Sequence, residues 1–161
     1  MAKTPVTAAI RALRAAKVAF EIYEYEYVPR GGTAASSSAL GVDEHAVIKT
    51  LILETGRGDP LCVLMHGDKR VSTKALARLL GEKLVRPCQP EVADKHSGYQ
   101  VGGTSAWGLR RAMPIFVESS ILGLPEIWMN GGRRGLLVKI DPNALVTGLR
   151  ARPVEVATDD A

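Results

Sequence analysis

Lys49 stands inside the apolar run Val47-Ile48-Lys49-Thr50-Leu51, and two glycine-rich segments leave other apolar runs. They are Gly98-Tyr99-Gln100-Val101-Gly102-Gly103-Thr104-Ser105 and Asn130-Gly131-Gly132-Arg133-Arg134-Gly135. A lysine on a strand either snorkels to water or holds its ammonium in a cleft, where it can bind phosphate or polarise a carbonyl or an attacking water. Thr50 adds a hydroxyl on the opposite face of the same strand. Gly102-Gly103 is either a tight turn needing positive φ or a nest of N–H groups that a ligand oxyanion can approach, with Thr104 and Ser105 beside it. The second segment is either a plain hairpin turn or a ligand loop. As a ligand loop it offers the amide of Asn130, the open backbone of Gly131 and Gly132, and the guanidiniums of Arg133 and Arg134. Arg110 and Arg111 follow the first loop, so an arginine pair flanks each one. Such a set suits an oxygen-rich, anionic substrate.

Other chemistries fit less well. Gly103 and Gly108 have P-loop spacing, but Leu109-Arg110 follows where Lys-Ser/Thr is required. Ser105 lacks the glycines of a nucleophile elbow. His45, His66 and His96 share no ligand spacing with Cys62 and Cys88, so no metal site and no cofactor are expected. The two cysteines form no CxxC pair and give no disulfide framework. Tyr23, Tyr25 and Tyr27 recur at period two, the mark of one packed strand face. Trp107 is either a hydrophobic plug or a platform for stacking a base.

These residues need elements to hold them. Thr4-Pro5 reads as the cap and first residue of a helix running to Lys17, followed by a strand from Phe20 to Val28. A short helix, Ala34 to Leu40, stops at Gly41, and Asp43 caps a further turn. Strands are expected at Val47–Leu53, Leu61–Met65, Leu84-Val85, Tyr99–Val101, Pro114–Val117, Glu126–Met129 and Leu136–Ile140. A helix from Ser72 to Leu80 has Leu76, Leu79 and Leu80 on one face, Pro90 opens another that Gly98 ends, and Asp141-Pro142 caps a last one reaching Leu149. Short strands outnumber helices and several are joined by hairpin-length turns. The expectation is an α+β fold with a mixed, curved, barrel-like β-sheet and packed α-helices, a single domain over 1–161 with a frayed tail at 157–161.

The 161 residues suffice for one sizeable core, and 46% apolar with 24% charged residues is globular composition. A net charge of +4 is compatible with a polyanion partner without requiring one. The start has no continuous apolar core of a signal peptide, and no run approaches the roughly 18 apolar residues of a membrane span. The expectation is a cytoplasmic soluble protein.

Together the segments resemble the YbaK/EbsC family, aminoacyl-tRNA deacylases related to the editing domain inserted in bacterial prolyl-tRNA synthetases. The matching pieces are Phe20-Glu21-Ile22-x-x-Tyr25, Val47 to Leu51, Ser97 to Ser105, and Gly131-Gly132-Arg133-Arg134-Gly135-Leu136. The resemblance covers the chain to about Leu149. It implies a trans-editing hydrolase that cleaves the ester between a wrong small amino acid and the 3′ end of tRNA, typically tRNA(Pro), with prolyl-tRNA synthetase as a possible partner. It implies that Lys49 holds the terminal adenosine phosphate or the aminoacyl group, that the Gly102-Gly103 loop binds the carbonyl, and that Tyr25 and Thr50 line the pocket. Asn130 stands where cysteine-specific relatives commonly have a serine, and Leu137 where they commonly have an aspartate. Hydrolysis of several small residues (Cys, Ala, Ser or Thr) is therefore expected over strict cysteine selection. The arginine pairs would contact tRNA phosphates. An activated ester needs only a placed water and a stabilised oxyanion, which agrees with the lack of a catalytic triad. Two other classes use the same loops: a non-catalytic aminoacyl-tRNA or nucleotide-binding module, and an enzyme of small phosphorylated molecules.

Overall fold

The computed structural model describes residues 6–159. Thr4 and Pro5, expected to open the first helix, lie outside them. Helix α1 is Ala8–Ala15, and its cap is Thr7, whose side chain accepts from the Ile10 N–H. The Thr7 hydroxyl also donates to the Gly131 carbonyl, so one side chain caps the helix and ties it to a distant loop. Ile10 and Leu13, one turn apart, are fully buried on the face turned to the core.

Strand β1 (Glu21–Glu24) is shorter than the expected Phe20–Val28. Its partner β8 (Leu136–Ile140) begins opposite Glu24, and only the Tyr25 N–H reaches further, to the Gly135 carbonyl. Tyr25 and Tyr27 keep the alternation without a ladder. Helix α2 (Gly32–Leu40) ends on Gly41 in the left-handed conformation, φ +68°, where a side chain would be strained. Asp43 then caps a 3₁₀ turn, Glu44–Ala46, that feeds strand β2 (Val47–Thr55).

Strand β2 pairs antiparallel with β3 (Pro60–His66), which is buried along its whole length. After β4 (Arg70–Val71) comes α3 (Thr73–Leu80), capped by the Ser72 hydroxyl and closed by Gly81. It buries Leu76 and Ala77. Leu79, expected on that face, points to solvent. Then follow β5 (Val85–Pro87), α4 (Pro90–Ser97), β6 (Ile115–Glu118), β7 (Ile127–Asn130) and β8.

Residues 99–101 form no strand. Tyr99 is buried and its hydroxyl donates to the Trp107 carbonyl, so the segment is held by a side chain instead of a ladder. The last helix, α5 (Ala144–Thr147), is one turn and starts after Asn143. Asp141 instead binds the Asn143 N–H in a local turn.

The sheet runs β1-β8-β7-β2-β3-β6-β9, with β9 (Arg152–Val154) parallel to β6 and β5 attached to β2 off this path. Antiparallel and parallel pairs coexist, as expected of a mixed sheet. One face packs on α1 and α4 through Ile48, Ile52, Cys62, Leu64 and Trp107, and the other packs on α3 through Leu53, Val63, Met65 and Phe116.

The expected frayed tail is instead a strand. β10 (Ala157–Thr158) pairs with β4, and the buried Glu118 carboxylate accepts from both the Val156 and Ala157 N–H groups at 2.7 and 3.0 Å. Lys69 adds an ion pair to Asp159 at 2.7 Å. Residues 160–161 lie outside the described residues. Because hydrogen bonds to a charged acceptor are worth about 1.5–3 kcal/mol, Glu118→Ala should lower the unfolding free energy by about 2–3 kcal/mol. Urea denaturation measures this.

Candidate functional site

Strand β2 shares one edge between two partners. Val47 and Ile48 pair parallel with Trp128 and Met129 of β7, while Leu53 to Thr55 pair antiparallel with Val85 to Pro87 of β5. Between them no strand is bridged to residues 49–52 on this edge, and the Cys88 N–H reaches only the Ile52 carbonyl, at 3.1 Å. The sheet therefore splits. A cavity of about 1360 Å³ occupies the split and is lined by every residue from Val47 to Leu53.

Period-two geometry gives this cavity two sides. Ile48 and Ile52 belong to the α1/α4 face, so Thr50 points there as well, toward Cys88, Ala93 and Thr104, which also line the cavity. Lys49 belongs with Val47 and Leu51 on the other face, among Tyr25, Arg70 and Leu137. The Thr50 hydroxyl oxygen is buried and has no hydrogen-bond partner among the described residues. A buried orphan hydroxyl costs about 1–3 kcal/mol, so at a cavity wall it is a place for a ligand group.

Lys49 is half-buried. Its recorded hydrogen bond is a long one, 3.5 Å from Nζ to the Gly67 carbonyl. Burial and the nearby Arg70 push its pKa below the ordinary lysine value, while Glu44 and Asp68 oppose the shift. Tyr25, also on the wall, has its pKa raised by burial. Cys88 is pushed up to about 11 by burial, so it is a neutral thiol and no ready nucleophile.

The cationic side chains on the wall are Arg30, Lys49, Arg70, Lys74 and Arg134, and among the described residues no Asp or Glu lines it. Arg134 is held by stacking on the Tyr27 ring at 4.9 Å and by donating from Nε to the Val101 carbonyl at 3.0 Å.

A family model described as aminoacyl-tRNA editing domain matches residues 29–147. The chain belongs to the aminoacyl-tRNA editing domain family. EbsC of Enterococcus faecalis, whose name assigns it provisionally to Cys-tRNA(Pro)/Cys-tRNA(Cys) deacylation, is 24% identical over 96% of this chain and 94% of its own length. Proline–tRNA ligase of Nitratidesulfovibrio vulgaris (strain DP4) is 29% identical over 54% of this chain, a stretch that makes up 15% of the ligase. Among solved structures, the hypothetical protein APE2540 superposes with a TM-score of 0.86 at 24% identity, covering 94% of this chain and 99% of its own. A crystal structure described as a candidate trans-editing enzyme for prolyl tRNA synthetase gives 0.84 at 22% identity, covering 96% and 99%. Both share the fold.

The editing-domain cavity gathers Lys49, Thr50, Tyr25, Gly102, Thr104, Asn130 and Arg134 of the residues singled out in the sequence, and Leu137 with them. Asn130 is committed to the loops. Its amide donates to the Gly102 carbonyl at 3.1 Å and its oxygen accepts from the Gly132 N–H at 2.7 Å, which clamps the two glycine segments together.

Gly103 does not supply a free donor. Its N–H is bound to the Gln100 carbonyl at 2.7 Å, and a Cβ there would lie 2.8 Å from the Arg133 and Arg134 backbone. Ser105 is fully buried, accepts from the Trp107 N–H and does not line the cavity. Gly131 and Gly132 also lie off it, packed on the α1 cap. Arg110, Arg111 and Arg133 are exposed outside the cavity, Arg111 against His96 and Arg133 near Glu24. Trp107 is a buried plug whose ring meets Gly148.

The sequence reading missed Arg30, Arg70 and Lys74, which carry no local motif and meet only through the fold. It also set His45 and His66 apart. Their rings stack at 3.7 Å, and Asp68 joins them. His66 Nδ1 lies 2.7 Å from the His45 carbonyl and Nε2 lies 2.7 Å from the Ser120 hydroxyl, so both its nitrogens are occupied by protein and the trio is a poor metal cage.

Gly103→Val should fail as a packing mutant. Overpacking against backbone costs about 1–3 kcal/mol or more, so the melting temperature and any activity should fall together. A fully stable but inactive variant would instead restore a direct ligand role for Gly103.

Proposed function

We propose that the chain hydrolyses the ester of small amino acids mischarged onto tRNA, with tRNA(Pro) as the first candidate. The observation that carries this reading is the two-sided cavity at the β2 split: cationic walls with no carboxylate among the described residues, joined to a small chamber around Thr50. The 3′ end of an aminoacyl-tRNA has that form. Its phosphates and ribose suit the side of Lys49, Arg70, Lys74 and Arg134, and its aminoacyl side chain suits the chamber of Thr50, Ile52, Cys88 and Ala93. The family match and the name of the Enterococcus relative support the same reaction class.

In this mechanism water adds to the ester carbonyl. The Lys49 ammonium, whose acceptor among the described residues is the distant Gly67 carbonyl, donates to the oxygen on which charge develops or to the neighbouring phosphate. The exposed Gly102 backbone borders the same space and offers a second polar contact, in place of Gly103. The bond from the carbonyl carbon to the ribose 3′ oxygen breaks, and that oxygen leaves with the proton given up by water. The ester is already activated, so positioning and charge stabilisation suffice. The chamber is bounded by Ile52, Ala93 and a thiol held neutral, and Leu137, on the Lys49 side, adds no charge to the cavity wall. Selection among small side chains should therefore be shallow, since one methyl or hydroxyl in a simple pocket is worth about 1–3 kcal/mol.

Lys49→Ala should reduce kcat/KM by about a hundredfold or more, the scale of losing one oxyanion donor, while circular dichroism stays native. The pH profile has a definite sign. Activity needs the charged ammonium, so it declines as pH rises through the Lys49 pKa, and burial brings that decline below the pH expected of an ordinary lysine. Arg70→Ala and Arg134→Ala should raise KM and flatten its salt dependence with little change in kcat. The test is a panel of Cys-, Ala-, Ser- and Thr-tRNA(Pro) run beside the free aminoacyl esters. Turnover of none of them by folded protein would overturn the reading. Binding without turnover would leave a non-catalytic module.

A further inference from the structure

The His45, His66 and Asp68 cluster lies behind Lys49, and the link between them is Gly67. The Gly67 carbonyl accepts from Lys49 Nζ at 3.5 Å and from the Thr33 hydroxyl at 3.2 Å. Gly67 has no room for a side chain. A Cβ there would meet the Thr33 hydroxyl at 2.6 Å and the carbonyls of Val47 and Glu44 at 2.7 and 2.8 Å. Its two chain neighbours, His66 and Asp68, are the cluster.

The hydrogen-bond roles in the cluster follow from its partners. A carbonyl only accepts, so His66 Nδ1 carries the proton given to His45 O, and in the neutral ring Nε2 accepts from the Ser120 hydroxyl. The His66 ring is 1% exposed and lies parallel to His45, 6° between planes. Burial lowers its pKa, in keeping with a neutral ring. His45 Nδ1 is bonded to the Asp68 carboxylate at 2.8 Å. The one Thr33 hydroxyl proton is shared between the Glu44 carboxylate at 2.7 Å and the Gly67 carbonyl at 3.2 Å, the shorter contact being to Glu44. The 3₁₀ turn, the end of β3, the following turn and α2 are thus fastened to one another around a single carbonyl.

We propose that His45, His66 and Asp68 form a latch that fixes the Gly67 carbonyl and through it positions the Lys49 ammonium in the cavity. They are positioning residues for the reaction proposed above, on which this inference rests, and they touch no substrate. The charged groups facing this assembly are few. Lys49 faces Arg70 from β4, Glu44 from the 3₁₀ turn and Asp68 from the turn after β3. His66 faces His45, Asp68 and Glu118 from β6. Asp68 thus acts twice. It holds the latch through His45, and its charge favours the ammonium form of Lys49 against the burial and the Arg70 charge that disfavour it.

The test separates the latch from the reaction. The Lys49 side chain is titrated by NMR in ¹³C-lysine-labelled wild type, Asp68→Asn, Asp68→Glu and His45→Phe. Kinetics on Ala-tRNA(Pro) are measured on the same samples, each checked for a native spectrum. Asp68→Asn should lower the Lys49 titration midpoint by roughly half a pH unit, move the alkaline fall of kcat down with it, and cut kcat about tenfold with KM within about twofold. Asp68→Glu should recover part of both. His45→Phe keeps the ring stack and the charge at residue 68 but loses the Nδ1 bond, so it should lower kcat with a smaller titration change. Lys49 titration and kcat identical to wild type in folded Asp68→Asn and His45→Phe would overturn the latch. If wild type hydrolyses no aminoacyl-tRNA, the reaction reading fails, and the Lys49 titration in Asp68→Asn still decides this inference: displaced upholds it, unmoved overturns it.

Discussion

A β-strand has two edges, and β2 gives one of them wholly to β3 while dividing the other between β7 and β5. The strands on that divided edge approach from different directions and run opposite ways relative to β2, so they cannot meet. The gap they leave spans residues 49–52 and is the origin of the cavity. Everything at the candidate site follows from it. A buried central strand would ordinarily reject a lysine, but here the lysine side chain opens onto solvent-filled space. A buried threonine would ordinarily find a partner, but here its hydroxyl faces the same space from the other side of the sheet.

The remaining elements hold the gap open and furnish its rim. The two glycine segments are fastened to each other by Asn130 and to α1 by Thr7, so the rim beside Gly102 is a rigid wall and not a free loop. On the far side β10 lies on β4, with Glu118 gripping its main chain, and this places Arg70 and Thr158 on the cavity wall. Thr158 lies beyond the stretch matched by the editing-domain family model, yet it lines the cavity.

Electrostatics then set the character of the cavity, whose wall carries the positive charges of Arg30, Lys49, Arg70, Lys74 and Arg134. Acidic residues are plentiful in the chain, but among the described residues none is on the wall. Those near Lys49, Glu44 and Asp68, sit behind it, engaged with Thr33 and His45. In that position they support the ammonium without offering a repelling carboxylate to a phosphate. The exposed Arg110, Arg111 and Arg133 lie outside the cavity, Arg111 against His96 and Arg133 near Glu24.

Much of the local chemistry that depends on neighbours in the chain was legible in the sequence, though Asp141-Pro142 does not cap the last helix. Gly41, Gly81 and Gly98 stop helices because each adopts positive φ, Asp43 caps a turn because its carboxylate accepts from the His45 N–H, and Val47 to Leu51 is a strand because its apolar residues pack both faces. Lys49 was conspicuous for the same reason: a charge in an apolar run must go somewhere. What needed tertiary structure was every feature set by a remote partner. Whether Gly102 or Gly103 keeps a free face depended on the Gln100 carbonyl and the Arg133 backbone. The tail became a strand because a carboxylate 38 residues away accepts its N–H groups. His45 and His66 became one unit because the 3₁₀ turn folds back over the end of β3. Spacing along a chain encodes helix faces and strand faces, since these repeat every few residues. It does not encode which strand takes which edge of β2, because that choice is made by long-range packing, and the site exists only once it has been made.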